Sequence, residues 1–188
     1  MSVPFPAVFP VIETSRLVLR RIERRDCEAI FAMFGNPEAM RFWSTPPWTD
    51  PSAAASWVGR VHTAFEAREA IRWAIALREG DAFVGTCTFF DVDGQNRRAE
   101  LGYILDRAAW GQGVMREALA AILAYGFGEL GLHRIEADID PRNTASVRAL
   151  EHFGFAREGL LRQRWRVGDE VSDSLMMGLL AHEWPPAG

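Results

Sequence analysis

One carboxylate and two glycines stand close together in the chain and could together support chemistry on a phosphate-bearing molecule. Glu100 lies in a short strand-like run, and Gly111 and Gly113 follow it and lead directly into an amphipathic helical pattern. The start of a helix offers unpaired N–H groups and a partial positive charge, which suit a phosphate. Glycines let the backbone approach such an anion closely. An anion cradle beside a candidate base therefore indicates an enzyme that uses a phosphate-bearing cofactor.

The glycine turn does not decide the matter alone, because a purely structural turn at a helix start has the same pattern. It departs from the dinucleotide-binding fingerprint, since Arg116 stands three positions after Gly113, where that fingerprint has Gly or Ala. It also lacks the Gly-Lys-Ser/Thr ending of a P-loop. The interpretation of the turn depends on the rest of the chain.

Hydrophobic periodicity predicts the helices and strands that position these residues. Alternating patterns predict strands at 15–22, 71–77, 83–90, 99–105, 134–139, 155–167 and 171–180. Helical spacing predicts helices at 26–34, 52–69, 113–130 and 144–153, and a further short helical piece after Asn36-Pro37. This order predicts an α+β fold, with a mostly antiparallel twisted sheet of about seven strands flanked by helices.

Composition narrows the class of protein. The 188 residues, 48% hydrophobic and 24% charged, are typical of one soluble globular domain. The net charge of -4 argues against a nucleic-acid partner. No apolar run reaches the roughly 18 residues of a membrane span, and the N-terminus does not resemble a signal peptide, so we expect a cytoplasmic protein without a membrane partner. Cys27 and Cys87 lack the paired spacing of a metal site, so we expect no metal and two buried free thiols.

Four segments of the chain, in order, resemble the signatures of the GNAT superfamily of N-acetyltransferases, and within it the RimJ/RimL group. The run from Ala99 to Leu105, followed by Trp-Gly-Gln-Gly-Val-Met-Arg-Glu-Ala at 110–118, resembles the acetyl-CoA-binding motif. Residues 143–159 are similar to the second signature of the group, and residues 13–20 and 178–184 are similar to its opening and closing segments. The resemblance covers about residues 12–184 and implies a single N-acetyltransferase domain of GNAT fold over residues 1–188.

The resemblance implies acetyl-CoA as co-substrate. Its pantetheine arm would pair with the backbone of the Tyr103 strand like an added strand, and its pyrophosphate would lie on N–H groups at the start of the helix. The implied binding residues are Tyr103, Ile104, Leu105, Gly111, Gln112, Gly113, Val114, Met115, Arg116 and Asn143. Arg116 is equally well an exposed helix arginine, and Asn143 can be a helix N-cap at the same time. Met115 stands where family members often have Gly or Ala, so its side chain must point away from the phosphates.

The reaction implied by the resemblance is direct attack of a neutral amine on the thioester. Glu100 is the candidate general base, and it shares a strand face with Gly102. An ion pair with Arg97 or Arg98 is the alternative role for this carboxylate. Two further residues are candidate acids that return a proton to the CoA thiolate, Ser146 and Tyr103. A serine in the first turn of a helix is also a common capping residue.

The acceptor is less defined. RimJ/RimL relatives acetylate N-terminal residues of ribosomal proteins, and the group also contains enzymes for small amines, amino acids and antibiotics. We therefore predict a protein N-terminal α-amine as acceptor, of the ribosomal-protein-alanine type, with a small-molecule amine as the alternative. A CoA-binding regulatory module without turnover is the alternative of another class, and Met115 is the feature that favours it. A nucleotide-cofactor enzyme is disfavoured by the antiparallel hairpin before the glycine turn.

The acceptor cleft is expected from residues 36–70 and 91–98. Its three tryptophans, Trp43, Trp48 and Trp57, predict a partly aromatic wall. Packing in the core is the alternative role for Trp57. Asp91 and Asp93 could attract a cationic amine, and a solvated acidic loop explains them equally well. A homodimer is left open by the sequence.

Overall fold

One mixed sheet runs through the chain in the computed structural model, which describes residues 5–184. Within that range the strands are β1 (Ile12–Glu13), β2 (Leu17–Arg21), β3 (Ala70–Leu77), β4 (Phe83–Asp93), β5 (Arg98–Leu105), β6 (Arg134–Ile139), β7 (Ala156–Val167) and β8 (Glu170–Leu180). The α-helices are α1 (Cys27–Gly35), α2 (Ser52–Glu66), α3 (Val114–Phe127) and α4 (Thr144–His152).

The spatial order of the strands is β1-β2-β3-β4-β5-β6-β8-β7. Neighbouring strands are antiparallel except for β5 and β6, which are parallel. The predicted α+β class and mostly antiparallel sheet are confirmed. The sheet has eight strands rather than about seven, because β1 contains only two residues and is too short to produce a pattern.

The sheet separates two apolar clusters. On one face α3 and α4 cover the large core, in which Trp73, Phe89 and Leu119 are completely buried. On the other face α1 and α2 cover a second cluster that includes Ile30 and Trp57. The alternation along β3 sets this division, since Ile71, Trp73 and Ile75 belong to the first cluster and Ala74 to the second. Side chains of one strand therefore contribute to both sides of the sheet.

Several predicted boundaries were wrong for identifiable reasons. Residues 37–42 form consecutive turns rather than a short helix: the N–H of Met40 donates to the Asn36 carbonyl (3.0 Å) and that of Trp43 to the Met40 carbonyl (2.9 Å), and no regular helix continues from them. Helix α2 ends at Glu66, before Arg68, whose φ of 60° is left-handed. Strand β4 continues to Asp93 across an irregularity. Cys87 is buried as predicted, whereas Cys27 is only half-buried.

Candidate active site

The parallel strands β5 and β6 separate in the middle of the sheet. Their last paired residues are Glu100 of β5 and Glu136 of β6. Beyond that pair, no strand in residues 5–184 pairs with the β6 side of residues 101–105. An unpaired strand edge presents N–H and C=O groups to which another extended molecule can bind. Glu100 therefore lies at the point where the sheet opens.

The turn before α3 carries free backbone donors. Gly111 and Gly113 have φ values of 71° and 74°, a conformation that side chains rarely adopt. The N–H groups of residues 111–116 donate no hydrogen bond to any residue between 5 and 184. They lie at the N-terminal end of a 14-residue helix, where the helix dipole is positive. The turn has the donors and the charge that an anion requires.

A side-chain clasp joins this turn to the loop between β1 and β2. The Glu117 carboxylate in the first turn of α3 accepts hydrogen bonds from Thr14 Oγ1 (2.6 Å) and from Nε of Arg16 (2.6 Å). Nη1 of Arg16 in turn donates to the carbonyl of Gln112 (3.0 Å). These bonds hold the pKa of Glu117 at about 2, despite the opposing effect of burial. The backbone of the turn is thus fixed from a distant part of the sequence.

Met115 turns its side chain into the protein. Its Sδ atom lies 3.9 Å from Sγ of buried Cys87 on β4, and the side chain packs against the large core. The backbone N–H of Met115 stays at the helix start. Arg116, next in the chain, is exposed and forms no ion pair with the described residues.

A cleft of about 810 Å³ lies on the α1–α2 side of the opening. It brings together the three predicted catalytic residues, of which Tyr103 is also a predicted cofactor ligand, and one further predicted cofactor ligand: Glu100, Tyr103, Ser146 and Asn143. The predicted tryptophans 43, 48 and 57 line it, and Trp57 is also part of the α1–α2 cluster. Asp91 lines the cleft as well. Asp93 lies outside it and accepts hydrogen bonds from Asn96.

Glu100 is a half-buried carboxylate without a partner among the described residues. The ion pairs considered for it do not form, because Arg98 binds Glu136 (2.6 Å) and Nε of Arg97 donates to the Gly131 carbonyl (2.6 Å). Burial, together with the negative charges of Asp138, Asp91 and Glu136, raises the pKa of Glu100 to about 7. A carboxylate with this pKa can both accept and release a proton near neutral pH.

Tyr103 and α4 meet beside Glu100. The Tyr103 hydroxyl donates to the carbonyl of Ser146 (3.4 Å) at the start of α4. Burial raises the pKa of Tyr103 above its ordinary value, so its hydroxyl stays protonated at neutral pH. Asn143 is the N-cap of α4, and its Oδ1 accepts the N–H of Ser146 (3.2 Å). The side-chain amide N–H groups of Asn143 stay available to a ligand.

The other predicted ligands lie around this region. Ile104 and Leu105 continue β5 along the opened edge, and the Ile104 side chain is buried against α1 and α2. The Leu105 carbonyl accepts the indole N–H of Trp110 (3.1 Å). Val114, the first residue of α3, is buried.

Sequence reasoning missed several charged residues of the cleft. Asp138 on β6 binds Nε of Arg164 (3.0 Å) and the indole N–H of Trp165 (3.2 Å), both on β7. Arg142 binds Asp140 and Glu170. Apart from the local pair of Arg142 with Asp140, these contacts join residues that are distant in the sequence, and the β6–β8–β7 order brings them together. Arg72 could have been found from the sequence, because it interrupts an apolar strand on the face that carries Ala74.

Fold and site together define an acyltransferase that takes its acyl group from a coenzyme A thioester. The chain belongs to the GNAT family of acetyltransferases, because residues 16–156 match the acetyltransferase (GNAT) domain. GNAT enzymes use acetyl-CoA, so the predicted family, enzyme class and co-substrate are confirmed. Among residues 5–184, no group of His, Cys, Asp or Glu side chains is placed to hold a metal ion, and no helix is long and apolar enough to span a membrane.

Relatives and solved structures agree with this assignment. An uncharacterised N-acetyltransferase of Bacillus licheniformis is 36% identical over 171 residues, which cover 91% of this chain and 96% of the relative. The ribosomal protein uS5 alanine N-acetyltransferase of Escherichia coli is 25% identical over 182 residues, and 93% of each chain is covered. The structure of Mycobacterium smegmatis RimJ in complex with CoA-disulfide is 27% identical with a TM-score of 0.83, and the match covers 95% of this chain and 91% of that one.

Proposed function

We propose that this N-acetyltransferase transfers the acetyl group of acetyl-CoA directly to the α-amine of a protein or peptide N-terminus. The observation that carries the proposal is the unpartnered Glu100, whose pKa is about 7, in a wide cleft at the opened strand edge. The similarity to an alanine N-acetyltransferase of a ribosomal protein and to RimJ supports this acceptor. A small-molecule amine is the second candidate, because the same cleft has room for one.

The proposed donor site uses two sets of free backbone groups. The N–H groups of residues 111–116 would bind the pyrophosphate, and the opened edge of β5 at residues 103–105 would bind the pantetheine arm. Asn143 would donate its amide N–H groups to the same arm. The geometry of the turn fits this substrate, since a Cβ on Gly111 would meet nothing within 4 Å and the surface there is open. The side chain of Met115 does not obstruct the turn, because it packs toward Cys87.

The proposed reaction begins with proton removal from the acceptor amine by Glu100, directly or through water. The neutral amine attacks the thioester carbonyl carbon, which backbone N–H groups of the Tyr103 strand polarise. A C–N bond forms, the C–S bond breaks as the thiolate leaves, and the nitrogen releases its extra proton to solvent as the neutral amide forms. Tyr103 or Ser146 supplies a hydroxyl proton to that sulfur, and solvent restores the proton.

The acceptor's basicity determines how much a base contributes. At about pH 7.5, deprotonating a lysine-like amine of pKa ~10.4 costs roughly 4 kcal/mol, whereas an α-amine of pKa ~7.8 costs well under 1 kcal/mol. A base whose pKa is about 7 is matched to the α-amine. The N-terminal amine is therefore the acceptor that this cleft can deprotonate with least assistance.

The test compares the protein with Glu100→Gln on two acceptors, a peptide that begins with Ala and an alkylamine of similar size. We expect Glu100→Gln to lower kcat/KM less than about tenfold for the peptide and on the order of 100-fold or more for the alkylamine. The inflection of kcat/KM near pH 7 that Glu100 produces should disappear in the variant, whereas the rise caused by the acceptor amine's own pKa should remain. Identical pH profiles for the two proteins would remove Glu100 as the base. Absence of CoA release with every amine would indicate the regulatory, non-catalytic alternative.

The remaining assignments are predictions of the same account. We propose that residues 12–184 act as one N-acetyltransferase domain in the cytoplasm. A homodimer would have a candidate surface on the β7–β8 hairpin, because β7 is an edge strand and exposed apolar side chains cluster there: Leu160, Leu161, Trp165 and Val171.

A further inference from the structure

Arg72 is a cation inside the cleft that the proposed reaction does not use. It lies on β3 and lines the cleft, and its guanidinium lies over the Trp57 ring, 5.0 Å from the ring centroid. Together with Arg60 of α2 it also borders a smaller adjoining cavity of about 240 Å³. The side chain is thus within the protein and directed at space that a ligand can enter.

No described residue neutralises Arg72. It forms no ion pair and no hydrogen bond with residues 5–184, whereas the cleft arginines Arg142 and Arg164 are each bound to a carboxylate. Burial lowers the pKa of Arg72 to about 10, since the charged form is poorly solvated there. The side chain is only half-buried, so its guanidinium reaches the water of the cleft, and no carboxylate compensates its charge. The arginine fork matches a carboxylate in two parallel hydrogen bonds.

The strand register places Arg72 and Glu100 on the same face of the sheet. Arg72 is opposite Thr88 on β4, and Thr88 is opposite Gly102 on β5, so these three residues form one row. Glu100 is two residues from Gly102 on β5. Adjacent strands lie about 4.8 Å apart and each residue rises about 3.3 Å, so the Cα atoms of Arg72 and Glu100 are roughly 12 Å apart. Between them Thr88 is small and Gly102 has no side chain, but the ring of Phe90 lies over Gly102, 3.1 Å from the position of a Cβ there, and forms an aromatic floor.

We infer that the acceptor carries a carboxylate in addition to its amine, and that Arg72 binds this carboxylate while the amine lies at Glu100. The inference rests on the proposed function and specifies its substrate class. The distance between Arg72 and Glu100 requires the amine and the carboxylate of the acceptor to lie less than about 12 Å apart, once both side chains are accommodated. A peptide N-terminus with a carboxylate one or two residues away meets this requirement. A polyamine has no carboxylate and leaves Arg72 unpaired.

The experiment uses acceptor pairs that differ only in charge. One pair is the dipeptide Ala-Ala and its C-terminal amide, and the other is a C-terminally amidated peptide that begins Ala-Glu and its Ala-Gln counterpart. We expect the protein to prefer the acidic member of at least one pair by about 10- to 100-fold in kcat/KM, mainly through KM. Arg72→Gln should abolish the preference and leave the kinetics of the neutral member nearly unchanged. Arg72→Lys, which keeps the charge without the fork, should restore part of it.

Arg41→Gln is the matched control, since Arg41 is an exposed arginine of the same cleft without an ion pair among the described residues. It should retain the preference for the acidic acceptor. No preference in either pair, or a preference that persists in Arg72→Gln, would overturn the inference. Acetylation of other amines but none of these peptides would also overturn it and leave acetyl transfer standing. Failure with every amine would count against the proposed function itself.

A measurement without turnover separates recognition from packing. If Arg72 is kept for a ligand, its removal relieves an unpaired charge, so Arg72→Gln should have a Tm equal to or above that of the protein. A clear fall in Tm would mean that the contact with Trp57 is the role of this side chain, and it would contradict the assignment.

Discussion

At the scale of single residues, the environment of Glu100 determines both its chemistry and the loss of folding stability that its ionised form causes. The carboxylate has no cation partner among residues 5–184, and the charges that affect it most strongly are negative. Its neighbour across the sheet, Glu136, has the opposite environment, because Arg98 and Arg134 both bind it and hold its pKa below the ordinary value. The two glutamates face each other in the strand register, yet only one is suited to accept a proton near neutral pH.

This contrast predicts opposite effects on stability. The pKa of Glu100 rises from 4.5 in the unfolded chain to about 7 on folding, so the folded state binds the proton more tightly and stability falls as pH rises between these values. Glu100→Gln removes the penalty. We expect the variant to melt a few degrees above the protein at pH values above 7 and to match it at pH values below 4.5, as measured by calorimetry.

Glu136→Gln is the control of opposite sign. Because folding lowers the pKa of Glu136, its ionised carboxylate stabilises the fold at pH values above the ordinary pKa of a glutamate. Its Tm should lie below that of the protein at neutral pH. Equal melting of the Glu100 variant and the protein at all pH values would show that Glu100 is solvated like an ordinary surface carboxylate.

At the scale of elements, the start of α3 depends on the β1–β2 loop. Glu117 binds Thr14, Ser15 and Arg16, and Arg16 reaches the carbonyl of Gln112 inside the glycine turn. None of these bonds involves the N–H groups of residues 111–116. The clasp therefore fixes the turn and leaves its donors free.

Glu117→Gln tests the clasp. The amide keeps the size of the side chain but loses the charge that several donors share, so the turn should become less ordered. We expect the Kd for acetyl-CoA, measured by titration calorimetry, to rise about tenfold. Glu129→Gln, an exposed change just after the same helix, should bind as the protein does. An unchanged Kd in Glu117→Gln would show that the turn is fixed without the clasp.

The same clasp shows what sequence reasoning could reach. Local patterns predicted the start of α3 and the glycine turn, because capping and periodicity act over a few residues. The contact of Glu117 with residues 14–16 joins segments about 100 positions apart and has no local signature. The turns at 37–42 were predicted as a short helix because Asn36 has the sequence pattern of a helix start and its side chain accepts the N–H of Glu38 as an N-cap does, although no regular helix follows.

At the scale of the whole molecule, strand order brings the site together. The sequence indicated Glu100, Tyr103, Asn143 and Ser146 by resemblance, and the structure brings all four to one cleft. The resemblance implied an open edge at Tyr103, but the residue pattern did not show that β5 and β6 separate after Glu100, since alternation along a strand carries no information about its neighbours. The cation–carboxylate pairing that distinguishes Arg72 from Arg142 and Arg164 depends equally on the complete sheet.

The most direct test of the central claim is mass spectrometry of a peptide that begins with Ala and contains one lysine, incubated with the protein and acetyl-CoA. The account predicts one acetyl group on the α-amine, with CoA released in equal amount and the lysine unmodified. Release of CoA without acetylated peptide, or acetyl groups on the lysine alone, would contradict it.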